Sequence, residues 1–160
     1  MLDSAKEPDF HTMIAVGKAS VTDDSTALLL GLLGFSATKL WNTAMWYTKD
    51  VWSTTGKIPT YLELDIAMKQ EHPLWYCRLH SQSAQAILEE LWQSYRSWFA
   101  LRKNGNSKAN PPGFRRKTTL SSGTFKQSAV KWNSRTSTVR FSIPKDIYGK
   151  QFLFLKINLP

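Results

Sequence analysis

Few side chains in this sequence are spaced for catalysis. Asp65 with Glu71, and the adjacent Glu89 and Glu90, are the nearest approach to carboxylate pairs. Acid–base work needs two groups converging on one reacting centre. Adjacent residues on a helix point about 100° apart, so Glu89 and Glu90 read as a solvated helix face. His11, His72 and His80 share no metal-ligand spacing, and Cys77 with His80 offers two ligands where a tetrahedral site needs four. The lone Cys77, among Trp75, Tyr76 and Leu79, reads as a small buried hydrophobe, and one thiol excludes a disulfide framework. The sequence has no Gly-rich phosphate loop, no nucleophile elbow and no metal-binding carboxylate cluster. The chain is read as having no catalytic site and no cofactor of its own.

Binding chemistry is better represented. Residues 101–160 hold thirteen Lys and Arg against one acid, Asp146, and so carry more positive charge than the +9 of the whole chain. Such a segment repels itself unless a polyanion neutralises it, and nucleic acid is the default partner. Cations here alternate with aromatics: Phe114-Arg115-Arg116-Lys117, Phe125-Lys126, Lys131-Trp132 and Arg140-Phe141. Cations contact phosphates, and aromatic faces can stack bases. Taken singly, Phe114, Phe125, Trp132 and Phe141 read more simply as core residues. The charge reading implies one continuous electropositive trough formed by these bases.

The elements that must position these residues follow from periodicity. Residues 1–11 read as a leader, and residues 12–22 as a first strand ending near Thr22. Thr22 is a suitable helix cap, with Asp23 and Asp24 facing the positive helix end. A helical pattern then runs from Asp23 to about Trp52, across Gly31 and Gly34. Thr60-Tyr61-Leu62-Glu63 is a capping box for a short helix, and His72-Pro73 interrupts. Ser81 is expected to cap the clearest helix, whose apolar positions Ala84, Ile87, Leu88, Leu91, Trp92, Tyr95, Trp98 and Phe99 form one stripe. Arg102 and Lys103 close it, and Gly105 stops it. Beyond the polar loop 104–112 the period changes to that of strands, over 124–132, 138–143 and 151–158, with a hairpin turn at 133–137. The expected fold is α+β: a helical lobe over 23–103 inserted into a small antiparallel β-barrel, whose remaining strands follow the basic loop in 104–160. At 160 residues and 42% apolar content the chain is long enough to bury a core. The apolar run 27–34 is far short of the roughly 20 residues a membrane span needs. With one cysteine and an acidic, polar N-terminus, a soluble protein of a reducing compartment is expected.

Several of these segments, in this order, resemble a known family. They are His80-Ser81-Gln82-Ser83-Ala84-Gln85-Ala86-Ile87-Leu88, then Leu91, Tyr95 and Trp98-Phe99, then Pro112-Gly113-Phe114-Arg115-Arg116-Lys117, then Phe125. They look like the N-terminal half of the TnpB family, the OrfB-type proteins of bacterial and archaeal insertion sequences. Lys39-Leu40-Trp41-Asn42 is similar to that family's first helix. The resemblance spans roughly residues 12–158.

The resemblance implies an RNA-guided DNA endonuclease related to type V CRISPR effectors. Its N-terminal half is a wedge-type β-barrel with an inserted helical recognition lobe, which grips guide RNA and reads a short motif in duplex DNA. A RuvC-like nuclease with divalent metal would lie beyond Pro160, and the setting would be prokaryotic cytoplasm, associated with the nucleoid. By the same resemblance Ser81, Gln82 and Gln85 approach target-adjacent DNA, Asn42 belongs to the first-helix pair, and Arg115, Arg116 and Lys117 lie at an RNA backbone. Lys126 and Lys131 are further phosphate contacts, and Arg102, Lys103 and Arg140 complete the expected nucleic-acid set. The alternative expectation is a nuclease-less DNA-binding regulator of a transposon or promoter.

Overall fold

A computed structural model describes residues 18–21 and 23–158. The expected leader, His11 and most of the expected first strand lie outside the described residues. The element order is β1 (Lys18–Ser20), α1 (Asp24–Thr55), α2 (Tyr61–Gln70), α3 (Pro73–Tyr76), α4 (Ser81–Lys103), a single 3-10 turn (Gln127–Ala129), β2 (Val130–Asn133), β3 (Thr138–Ser142), α5 (Lys145–Tyr148) and β4 (Phe152–Asn158). The helices α1 to α4 thus lie in the chain between β1 and the other three strands.

The sheet is open, not the closed barrel expected from the sequence. Its order is β1-β4-β3-β2 and every pairing is antiparallel. Only the last third of the expected strand over 124–132 is strand, because the 3-10 turn at Gln127–Ala129 delays pairing until Val130. The hairpin at 133–137 forms as expected. Asn133 Oδ1 accepts the Arg135 N–H at 3.0 Å, and Ser137 takes a positive φ of 49°. Two short helices, α3 and α5, escape the periodicity reading because a single turn is too short to show a period.

Local chemistry accounts for the helix ends. Asp23 takes the capping role expected of Thr22, which lies outside the described residues. Its carboxylate accepts the Thr26 N–H at 2.8 Å and the Ser25 hydroxyl at 2.7 Å, and these bonds hold its pKa down to about 2. At the far end Gly56 adopts φ +71° and returns its N–H to the Trp52 carbonyl at 2.9 Å, a left-handed cap that favours glycine. The Thr60 capping box is complete. Glu63 donates its N–H to the Thr60 hydroxyl, and its carboxylate accepts the Thr60 N–H at 2.8 Å. Ser81 is not the cap of α4; that position belongs to His80, which makes no side-chain capping bond.

One core joins helices and sheet. Leu40, Met45, Leu64, Met68, Leu88, Leu91 and Tyr95 are wholly buried, and Ile143 and Leu153 from the sheet side join the same cluster. Burial of each such side chain contributes about 1.5–3 kcal/mol. The α4 stripe is therefore the seam against α1 from Ala84 to Tyr95, as its spacing predicted, whereas Phe99 at its end is 40% exposed. No described helix is long and apolar enough to cross a membrane.

Candidate nucleic-acid interface

The long connection over 104–126 has no ladder of its own, so its backbone polar groups must find partners elsewhere. One face of α1 supplies many of them. Thr38 Oγ1 lies within hydrogen-bond distance of the Thr119 carbonyl (2.5 Å) and the Ser121 hydroxyl (2.8 Å), and accepts the Ser121 N–H at 3.2 Å. Trp41 Nε1 donates to the Gly113 carbonyl at 3.0 Å. Asn42 Nδ2 donates to the Arg115 carbonyl at 2.9 Å, while the Arg115 N–H returns to Asn42 Oδ1 at 2.8 Å. Positions 38, 41 and 42 share a helix face by the i, i+3, i+4 rule. From α4, Trp98 Nε1 holds the Ala109 carbonyl at 3.0 Å, and Arg102 donates to the Ser107 carbonyl at 2.6 Å.

This anchoring fixes which side chains of the Pro-Gly-Phe-Arg-Arg-Lys segment face inward. The Arg115 guanidinium lies 3.8 Å over the Trp41 ring and donates to Glu90 Oε1 at 2.8 Å. Phe114, read from sequence as core, is 53% exposed, with Lys49 Nζ 4.6 Å above its ring. Phe114 and Lys117 then line an open groove with Lys39, Thr43 and Trp46 of α1. Arg116 is exposed beside it. Lys39, Trp46 and Lys49 were absent from the expected set, because they lie in a part of the sequence with no positive excess.

A second basic surface lies on the sheet. Residues directly opposite in an antiparallel ladder share a face. Lys131 pairs with Arg140, and Arg140 with Phe154, so these three form one rung. The next rung is Asn133, Thr138, Lys156 and Ser20, and Lys18 follows at the β1 edge. No strand position of this face holds an acid. The Asp23 carboxylate borders Phe154 and Lys156 but is engaged in capping α1. Phe154 is 56% exposed, and the Arg140 guanidinium lies 4.1 Å over Phe152. The opposite face carries Val139, Phe141, Leu153 and Leu155 toward the helices. Phe125 and Phe141 are inward, with ring centroids 4.8 Å apart, but Trp132, also read as core, is exposed on edge strand β2.

The expected site residues therefore do not all come together. Lys131 and Arg140 share the outer sheet face; Lys117 lies at the α1 groove with Arg116 beside it; Arg102 and Lys103 mark the far end of α4. Asn42 and Arg115 direct their polar groups into the fold. Lys126 lies 4.0 Å from Glu89, so both Glu89 and Glu90 face cations instead of only solvent. Ser81 is exposed, whereas Gln82 accepts the Ser128 hydroxyl at 2.6 Å and Gln85 lies against the Tyr76 hydroxyl. Behind this helix start is a cavity of about 270 Å³, walled by Leu33, Leu79, Ile87, Phe125 and Phe141, in which His80 Nδ1 and Ser83 Oγ are buried without partners. The single trough expected from the charge is instead two aromatic-bearing patches plus scattered bases.

The other residues weighed for chemistry have structural settings. Asp65 is buried and accepts from Lys69 and from the Tyr76 hydroxyl. Cys77 is exposed, contrary to the buried position expected, because it caps the single-turn helix α3 at the surface. His72 packs edge-on to Trp46 and Tyr47. Among the described residues no three His, Cys, Asp or Glu side chains converge as metal ligands. No protein-family model matches the chain, and a search of curated proteins returns no match.

Proposed function

We propose that this chain is a nucleic-acid-recognition module: the guide-RNA- and DNA-binding half of a TnpB-like RNA-guided endonuclease. Any cutting would be done by a RuvC-like part outside these 160 residues. The observation that carries the reading is the outer sheet face, where Lys131, Arg140 and Lys156 flank exposed Phe154 and Lys18 lies further along the same face, with no acid on the strands. Placing like charges on neighbouring strands costs stability unless a polyanion joins them. The α1 groove, with Lys39, Lys117, Trp46 and Phe114, gives a second basic-aromatic contact of the same kind. The ordered segments quoted above supply the family part of the reading.

The test is binding of a structured RNA across a salt series. Counterion release makes affinity fall by about 0.7–0.9 log units per log unit of salt for each phosphate neutralised. A steep slope is expected. Lys131→Gln, Arg140→Gln and Lys156→Gln together should lower it by roughly two to three. A flat salt response removes the proposal. A footprint on duplex DNA that needs no RNA replaces the guide-dependent reading with a DNA-binding regulator.

A further inference from the structure

We infer that the outer sheet face takes unpaired nucleotides, stacking a base on Phe154; this rests on the nucleic-acid reading above and names the ligand class of that face. Phe154 is on β4, where it pairs with Arg140 of β3; β1 pairs further along, with Lys156–Asn158. Alternation along β4 sends Leu153 and Leu155 to the core and Phe154 to the outer face, where its large ring is left 56% exposed. Its neighbour Phe152 is covered by the Arg140 guanidinium at 4.1 Å, and the two phenylalanine centroids are 6.4 Å apart. One ring therefore holds the cation in place while the other stays open.

The surroundings match a strand of nucleotides better than a duplex. Lys131 and Arg140 lie in the same rung as Phe154, and Lys156 is two residues further along β4 on the same face. Asn133, Thr138 and Ser20 belong to the next rung. Asn133 Oδ1 and the Thr138 hydroxyl proton are engaged in the hairpin, which leaves the Asn133 amide N–H, the Thr138 oxygen and the Ser20 hydroxyl to bond base edges or a ribose 2′-hydroxyl. In a duplex every internal base face is covered by its neighbours, so a flat aromatic gains no stacking and only the cations contribute. An unpaired base offers a free face, and stacking on an aromatic tolerates any base.

The experiment uses the full chain, a labelled oligouridylate that forms no structure, and a blunt RNA duplex of equal length. Oligouridylate is expected to bind more tightly than duplex at matched salt. Phe154→Ala should weaken oligouridylate binding by roughly 5- to 150-fold, the range for one lost base–aromatic stack, with the salt slope and duplex affinity unchanged. Phe154→Trp should retain tight binding, and circular dichroism establishes that both variants fold. Equal affinity for the two RNAs, or an unchanged affinity in Phe154→Ala, overturns the inference. So does a Phe154→Ala variant that alters only self-association, which would make the face a contact between copies. If structured RNA still binds with a steep salt slope in those cases, the recognition-module reading stands and only the stacking role falls. Loss of all RNA binding by the unmodified chain removes both.

Discussion

The carboxamide of Asn42 and the backbone of Arg115 bond each other in both directions, at 2.9 and 2.8 Å. The pair works as a template, since an asparagine side chain presents the same donor and acceptor as a peptide group. It joins α1 to a loop more than seventy residues away and sets which way Phe114, Arg115 and Arg116 point. Asn42→Asp keeps the acceptor but turns the donor into an oxygen facing the Arg115 carbonyl. A loss of about 1–3 kcal/mol is expected, the usual cost of an unmade, partly buried hydrogen bond. Denaturant unfolding measures it, and limited proteolysis after Arg116 or Lys117 should accelerate. Unchanged stability and unchanged cleavage would show that the loop holds its course without Asn42.

Arg115 and its two basic neighbours should separate cleanly. Arg115 stacks on Trp41 and pairs with Glu90, but the Glu90 end of that pair is well exposed, so the ion pair contributes less than about 1 kcal/mol and the stack a similar amount. Arg115→Lys loses the planar stack while keeping the charge. It is expected to cost about 1 kcal/mol of stability and to leave the salt slope of RNA binding alone. Arg116→Gln with Lys117→Gln should do the reverse, lowering the slope by roughly one to two while leaving stability within about 0.5 kcal/mol. Thermal melts and salt titrations on the same preparations decide; a slope that falls with Arg115→Lys returns that residue to the interface.

Helices were legible in the sequence where a period ran for several turns. The α4 stripe and the Thr60 capping box are both local signals, and both are present in the fold. The order strand, helices, strands was also legible, and β1 does pair with the final strand. Closure into a barrel was not, because it depends on strand number and stagger, which no local pattern encodes. The candidate interface was half visible. Charge counting located Lys131 and Arg140 but could not see that Arg115 and Lys126 face Glu90 and Glu89, since such pairs form only after folding. Phe152, Phe154 and Lys156 were read as one strand, and the alternation that puts them on its outer face was available at 151–158. Their partners across the sheet needed the register. Trp132 and Phe114 were misread because hydrophobicity reports a preference for burial, not whether the fold has room to satisfy it.

Two glycines three residues apart in α1 should respond unequally to alanine. At Gly31 a Cβ meets nothing within 4 Å, so Gly31→Ala should stabilise the helix by about 1 kcal/mol. At Gly34 a Cβ would lie 3.1 Å from Leu120 Cβ and 3.3 Å from the Ser121 carbonyl oxygen, and Ser121 donates its N–H to the Gly34 carbonyl at 3.1 Å. Gly34→Ala makes the same helix gain but displaces the loop that crosses there. Its net stability should fall below that of Gly31→Ala, and the Ser121 amide should exchange faster. Equal gains for the two variants would mean that the crossing yields without cost.

The tyrosines set an alkaline limit on the fold. All five, Tyr47, Tyr61, Tyr76, Tyr95 and Tyr148, have pKa values raised above that of free tyrosine, with burial the largest cause in each. Tyr76 is raised furthest, because its hydroxyl also donates to the buried Asp65 carboxylate at 3.0 Å. A phenol whose folded pKa exceeds its unfolded value holds its proton longer in the native state. Its contribution is therefore complete below about pH 10, the unfolded value, and is lost as pH rises toward the folded one. Tyrosinate absorbance should lag behind that of free tyrosine and rise together with loss of helical circular dichroism. Tyr76→Phe should soften this alkaline limb while costing about 1–3 kcal/mol at neutral pH, since it leaves Asp65 with Lys69 as its remaining partner. Tyrosinate appearing at the free-tyrosine pH with the helices intact would show that these rings are not held in the core.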